Sequence, residues 1–159
     1  MNKRTSYITW DEYFMAIAQI VSERSKDPNT RVGSCVINSK NRIVATGYNG
    51  MPNNVSDDDI SWNRDGELLE TKYPYVCHAE LNAVLNSTVS LEDCKMYVTL
   101  FPCNECAKAI IQSGIKELVY LEDKYPDTDG IKASKKMFDL AGIKYTKYIS
   151  SGKSITIKV

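Results

Sequence analysis

MYVTLFPCNECAKAIIQSGIKELVYL, residues 96–121, is the stretch on which the architecture of this chain turns. Met96 to Leu100 is a short apolar, partly β-branched run and predicts a strand. Cys103 to Ser113 predicts a helix that Gly114 stops, and Leu118 to Leu121 predicts a second strand. A strand–helix–strand crossover of this length has to place its strands parallel, and such crossovers are nearly always right-handed. Downstream the alternation continues, with a helix over Gly130 to Ala141, stopped by Gly142, and a strand over Tyr145 to Ile149. Upstream, His78 to Ser87 predicts a helix, while Val32 to Asn38 and Arg42 to Tyr48 predict a pair of strands joined across Ser39–Lys40–Asn41. The first helix is expected from Trp10 to Ser25, where Trp10, Tyr13, Phe14, Ile17, Ile20 and Val21 recur at helical spacing as one apolar stripe. Thr9 with Glu12 forms a capping box at its start, and Asp27–Pro28–Asn29 is a turn beyond its end. These elements imply an α/β protein, a three-layer α/β/α fold with one mixed central sheet, spanning residues 1–159 as a single domain.

Two segments stand outside that alternation. Asn49 to Tyr75 carries Gly, Pro, Asn and the run Asp57–Asp58–Asp59, and is expected to be mostly loop. A loop this long inside a compact domain usually carries function or an interface, while the acidic run itself is expected to be a solvated face. Ile155–Thr156–Ile157, after Ser150–Ser151–Gly152, is expected to add an edge strand or an intersubunit contact.

Composition narrows the classes of function. Twenty Lys and Arg balance 20 Asp and Glu, so no net charge draws the chain to nucleic acid or to an anionic membrane, and neither is expected as a partner. No run reaches the roughly 18 apolar residues of a membrane span, and the start, Met1–Asn2–Lys3–Arg4, lacks the apolar stretch of a signal peptide. A soluble, cytoplasmic protein is expected. The five cysteines, Cys35, Cys77, Cys94, Cys103 and Cys106, are an odd number, which suits a reducing compartment with some thiols on a metal better than a disulfide scaffold.

The chemistry is carried by two short motifs, His78–Ala79–Glu80 and Pro102–Cys103–Asn104–Glu105–Cys106, each opening a predicted helix. Alone, a Cys-x-x-Cys pair is ambiguous between a metal site and a redox dithiol. His78, however, is the only histidine of the chain, and together the motifs offer one imidazole and two thiolates. A structural zinc takes four ligands and closes the site, whereas three leave a position open for water, whose pKa then falls to roughly 7. Glu80, two residues beyond a ligand, can reach that water without binding the metal. Both helix N-termini would point their positive ends at the site and favour thiolates. Cys35, Cys94 and Cys77 are expected to be packed rather than ligating. The combination H-x-E…P-C-x-x-C is the signature of the zinc nucleobase deaminases, in which the glutamate is general acid and base and water attacks C4 of cytosine.

The resemblance extends over almost the whole chain. Tyr13–Phe14–Met15–Ala16, Arg24 to Pro28, Gly47 to Pro52, Tyr73 to Ala83 (YPYVCHAELNA), Thr99 to Lys108 (TLFPCNECAK) and Asp123–Lys124–Tyr125 resemble the deoxycytidylate (dCMP) deaminase family of the cytidine-deaminase-like fold. That resemblance implies hydrolysis of dCMP to dUMP and ammonia, supplying dUMP for thymidylate synthesis. It implies His78, Cys103 and Cys106 as zinc ligands and Glu80 as proton donor. It also implies Asn49 at the sugar and base, and Tyr125 with Lys124 near the phosphate. A homohexamer is implied, activated by dCTP and inhibited by dTTP, with Mg2+ accompanying the triphosphate. Asn53 to Thr71 contains neither Cys nor His, so one zinc per chain is expected, and Pro126 stands where relatives carry histidine. Arg31 is a further candidate phosphate partner on charge alone. The rival readings are another deaminase substrate (a nucleoside, dCTP or a base within RNA) and a zinc-stabilised binding module without activity; an intact Glu80 speaks against the latter.

Overall fold

The computed structural model describes residues 1–158. Helix α1 runs Trp10–Ser22 and opens on the expected capping box: Thr9 Oγ1 accepts from the Glu12 amide at 3.2 Å and Glu12 returns a carboxylate to the Thr9 amide at 2.6 Å. It stops three residues before the predicted Ser25. The amides of Glu23, Arg24 and Ser25 bond to the carbonyls of Ile20, Val21 and Ser22, a tightening to i−3 spacing that winds the helix down into the Asp27 turn.

Strands β1 (Gly33–Ile37) and β2 (Ile43–Tyr48) form the predicted antiparallel pair, with a bulge between Val36 and Ile37. Helix α2 (Ala79–Asn86), strand β3 (Lys95–Leu100), helix α3 (Asn104–Gln112), strand β4 (Glu117–Glu122), helix α4 (Asp129–Ala141) and strand β5 (Lys144–Lys147) then alternate as expected. The sheet order is β2-β1-β3-β4-β5, antiparallel across β1 with β2 and β3, and parallel from β3 to β4 to β5. It is therefore mixed, as predicted. The last strand begins at Lys144 and its register is extended by the Tyr148 amide on the Tyr120 carbonyl.

Strand alternation divides the core in two. Val36, Met96, Val98 and Leu118 face α2, α3 and α4, where Ala83, Ala107, Ile110 and Phe138 close over them. Cys35, Ile37 and Tyr97 point the other way, against Phe14, Met15 and Ala18 of α1. The stripe read from the α1 sequence is corrected here: Phe14, Met15, Ala18 and Ser22 are buried, whereas Trp10, Tyr13 and Ile20 are exposed. The buried face is chosen by close approach. A Cβ on Gly33 would lie 2.0 Å from the Ala18 carbonyl oxygen and 2.5 Å from the Ser22 amide nitrogen, so α1 settles its small residues onto β1. Gly47 does the same for α2, where a Cβ would come within 2.2 Å of the Ala79 carbonyl oxygen.

The segment 49–75 contains one 3-10 turn, Leu68–Glu70, and is otherwise irregular, as expected. Ile155–Ile157 forms no strand; Ile155 and Ile157 are exposed and line a groove that Ile8, Met15 and Ile20 also line. Lys153 and Ser151 hold that tail to Glu12 of α1.

Candidate active site

His78 and Cys103 open their helices as expected, standing at the N-caps of α2 and α3 in extended backbone at φ −74° and −70°. Neither side chain is spent on capping its own helix. Their carbonyls accept the first helical bonds, from Asn82 at 3.0 Å and Ala107 at 2.9 Å, so the caps are firmly held while the imidazole and thiol remain free. Cys106 lies one turn on, buried in the first turn of α3. His78 Nδ1 is 3.4 Å from both Cys103 Sγ and Cys106 Sγ, and the three ligand atoms all lie within 4.8 Å of one another. Tetrahedral zinc, with bonds of about 2.1 Å to nitrogen and 2.3 Å to sulfur, needs nitrogen and sulfur about 3.6 Å apart. The donor set therefore fits the ion in both softness and spacing, and among the described residues it is the one such group of three.

Electrostatics at the cluster follow from who shares a proton. The neighbouring Cys106 thiol and His78 hold the Cys103 thiol down to about 3, while Cys103 and burial push Cys106 up. The Cys103 contact raises His78 above its usual value despite burial. Glu80 is 4% exposed, and that desolvation lifts its carboxyl to about 7, with His78 opposing. A carboxyl poised there can both take and give a proton near neutral pH. Cys77 is outside the group; its backbone makes an isolated antiparallel bridge with Gly50 instead. Cys35 and Cys94 are buried, as expected, and all five cysteines are free.

His78, Glu80 and Cys103 open onto a cavity of about 350 Å³. Asn49 lines it, 5% exposed, and is almost fully satisfied by its own chain. Asn49 Oδ1 accepts from the Val32 amide at 2.8 Å, and Nδ2 donates to the Thr30 carbonyl at 2.9 Å with Asp27 Oδ2 at 3.4 Å. An amide has two donors and two acceptor positions, so one acceptor position on Oδ1 is left. Tyr125 also lines the cavity. Lys124 does not: its ammonium lies 3.3 Å from Glu122. Arg31, likewise off the cavity, pairs with Glu23 at 2.6 Å.

The cavity contains side chains that the sequence did not single out. Arg64 lines it with Nε 3.2 Å from the Tyr73 hydroxyl, and Tyr73 and Tyr125 both raise its pKa. Lys72 lies in the wall too, buried and paired with buried Asp27. Burial alone would raise the Asp27 carboxyl; Lys72 and the amides of Asn29 (2.8 Å) and Thr30 (3.1 Å) reverse this and hold it below its usual value. In the sequence Asp27 stands out in the resembling segment Arg24 to Pro28 and in the turn Asp27–Pro28–Asn29. Asp27 is indeed the side chain that closes it, and its second role towards Lys72 is 45 residues distant. Among the acidic run, Asp57 pairs with Lys26 at 2.5 Å at the surface, in keeping with a solvated face.

Comparison with known proteins agrees with this geometry. Residues 8–122 match the family described as the cytidine and deoxycytidylate deaminase zinc-binding region. The deoxycytidylate deaminase of Homo sapiens is 54% identical over 98% of this chain and 88% of its own length, and the probable deoxycytidylate deaminase of Drosophila melanogaster is 51% identical over 98% and 80%. Among solved structures, the dCMP deaminase of cyanophage S-TIM5 in complex with dCMP and dUMP superposes with a TM-score of 0.69, at 29% identity, over 87% of this chain and 96% of that one.

Proposed function

The chain belongs to the cytidine and deoxycytidylate deaminase family, and from that membership we propose that it converts dCMP and water to dUMP and ammonia. One observation carries the reading: an imidazole and two thiols converge within 4.8 Å in a cavity whose adjoining carboxyl, Glu80, is buried and lifted to about 7. His78, Cys103 and Cys106 hold zinc in this reading. The ion, when bound, supplies the Lewis acidity that makes an activated water available near neutral pH. Glu80 moves the protons: it takes them from the attacking water and delivers one to cytosine N3 and one to the amine, which leaves C4 as ammonia while the water oxygen stays as the C4 carbonyl. The N-termini of α2 and α3 stabilise thiolate and developing negative charge at the same point.

The substrate groups are assigned by what each side chain has left to give. A deoxynucleotide monophosphate has a single sugar hydroxyl, at C3′, and the remaining acceptor position of Asn49 suits that donor. Arg64, poised by Tyr73 beside Tyr125, supplies the fixed positive fork that a 5′-phosphate favours. Lys124, engaged with Glu122, follows as an outer cation.

In this reading residues 1–159 act as one domain, and dUMP passes to thymidylate synthesis. The five free cysteines support a reducing, cytoplasmic setting; no described helix is long and apolar enough to cross a membrane. We further propose a homohexamer activated by dCTP and inhibited by dTTP with Mg2+. Exposed Trp10, Tyr13 and Ile20 on α1 support association. Ammonia release measured across dCMP, dCTP, deoxycytidine and CMP tests the assignment. A clear preference for dCMP is expected; equal turnover of deoxycytidine would overturn the phosphate reading.

A further inference from the structure

The Asp27–Lys72 pair is the one ion pair of the described residues in which both side chains are more than nine-tenths buried, at 2% and 8% exposed. Burying two charges is seldom the cheapest way to hold a fold together, because desolvation consumes most of their attraction. Its position suggests what else it does. Asp27 Oδ1 closes the turn through Asn29 and Thr30, while Oδ2 faces both Lys72 and Asn49 Nδ2. Ser25 Oγ donates to the Asn49 carbonyl at 2.8 Å and accepts from the Asp27 amide at 3.3 Å, so the turn grips Asn49 by main chain and side chain together. Lys72 belongs to the far end of the long segment: its amide bonds to the Asn63 carbonyl, and its carbonyl accepts from Tyr75 and Val76, turning the chain towards His78.

We propose that Asp27 and Lys72 form a positioning pair that fixes which face of the Asn49 amide meets the substrate. Both amide donors of Asn49 are taken, one by the Thr30 carbonyl and one by Asp27, so only its oxygen is presented to the cavity. Lys72 keeps the carboxylate charged and aimed. Without the carboxylate, the second Asn49 donor has no partner, and the amide is held by the Val32 amide and the Thr30 carbonyl alone. The pair acts through Asn49 and touches no reacting atom. This inference rests on the dCMP reading, and specifically on Asn49 accepting from the 3′-hydroxyl.

The test compares dCMP with 2′,3′-dideoxycytidine monophosphate in wild type, Asp27→Asn, Lys72→Met and the double variant, with thermal stability recorded for each. Wild type should favour dCMP in kcat/KM by about fivefold or more, the worth of one hydrogen bond. Both single variants should raise KM for dCMP more than they lower kcat, and should erase that preference. A merely structural loosening would depress both nucleotides alike and leave the ratio standing. The double variant removes both buried charges, so its stability should return towards wild type while the preference stays lost. It also reads out the idea if a single variant does not fold. A preference that survives in the variants, or that returns with stability in the double, would overturn the positioning role. A wild type that treats the two nucleotides equally refutes the Asn49 assignment and this inference with it; one inert towards dCMP refutes the proposed function itself.

Discussion

Gly47→Ala tests how the sheet aims the chemistry. The added Cβ would lie 2.2 Å from the Ala79 carbonyl oxygen and 2.4 Å from the Ala83 amide nitrogen, both backbone atoms of α2. No side chain can swing away to make room. Restoring an ordinary contact near 3.4 Å requires α2 to retreat from β2 by about 1 Å. That displacement also strains the bond from Ser34 Oγ to the Ala79 carbonyl, 2.9 Å. Overpacking of this kind destabilises by about 1–3 kcal/mol, and for a chain of this size each kcal/mol lowers Tm by roughly 2–4 °C. Function should suffer more than stability. His78 caps α2 and Glu80 lies in its first turn, so both move relative to Cys103 and Cys106 on α3, and a 1 Å misplacement of reacting groups is worth about 10²-fold. Differential scanning calorimetry, zinc content and kcat/KM for dCMP should show a folded variant with weakened metal retention and about a hundredfold lower activity. A Gly47→Ala protein with wild-type activity and full zinc would refute the claim that the β2–α2 contact sets the site.

Other outcomes follow from the same geometry. Cys103→Ala should lose zinc and part of the stability, since metal affinity is partly folding energy, and metal analysis beside a melting curve checks it. Arg64→Ala should raise KM for dCMP and narrow its advantage over deoxycytidine, whereas Lys124→Ala, off the cavity and paired with Glu122, should change that ratio little; steady-state kinetics on both substrates decides. Asp27 has a folded pKa below its ordinary 3.8, so its stabilisation is fully present above that value and is lost as pH falls through the folded pKa. Asp27→Asn should therefore be less stable at pH 7, by about 3–5 kcal/mol for one partner of a buried pair, and should lose less stability than wild type on acidification below pH 4, read from Tm against pH.

The sequence carried the element order well because each helix announces its ends. Thr9 and Glu12 box the first, and Gly114 and Gly142 stop two others, the second in a left-handed cap at φ 68°. The mixed sheet followed from one tight hairpin and two crossovers. The metal cluster was legible because its ligands occupy two short motifs of unusual composition. What was hidden depends on distance and destination. Periodicity reports that a face is apolar, not which neighbour it meets, so the α1 stripe was misplaced until Gly33 showed which residues can approach the sheet. Arg64, Lys72 and Tyr73 lie in a segment without regular structure, and only the folded 49–75 loop carries them to a cavity built on residues 27–32 and 78–80. Lys124 neighbours cavity-lining Tyr125 in sequence but is paired with Glu122, a contact that sequence proximity does not report.

The role of Glu80 in the reaction is tested most directly by dCMP turnover of Glu80→Gln, measured alongside its zinc content. Glutamine keeps the shape of the buried side chain but cannot carry a proton, and Glu80 stands outside the three-residue donor set. One zinc per chain is expected, as in wild type, with kcat reduced by at least the roughly 10²–10⁴-fold that one general acid–base supplies. A zinc-loaded Glu80→Gln enzyme that releases ammonia from dCMP at near wild-type rate would contradict that role.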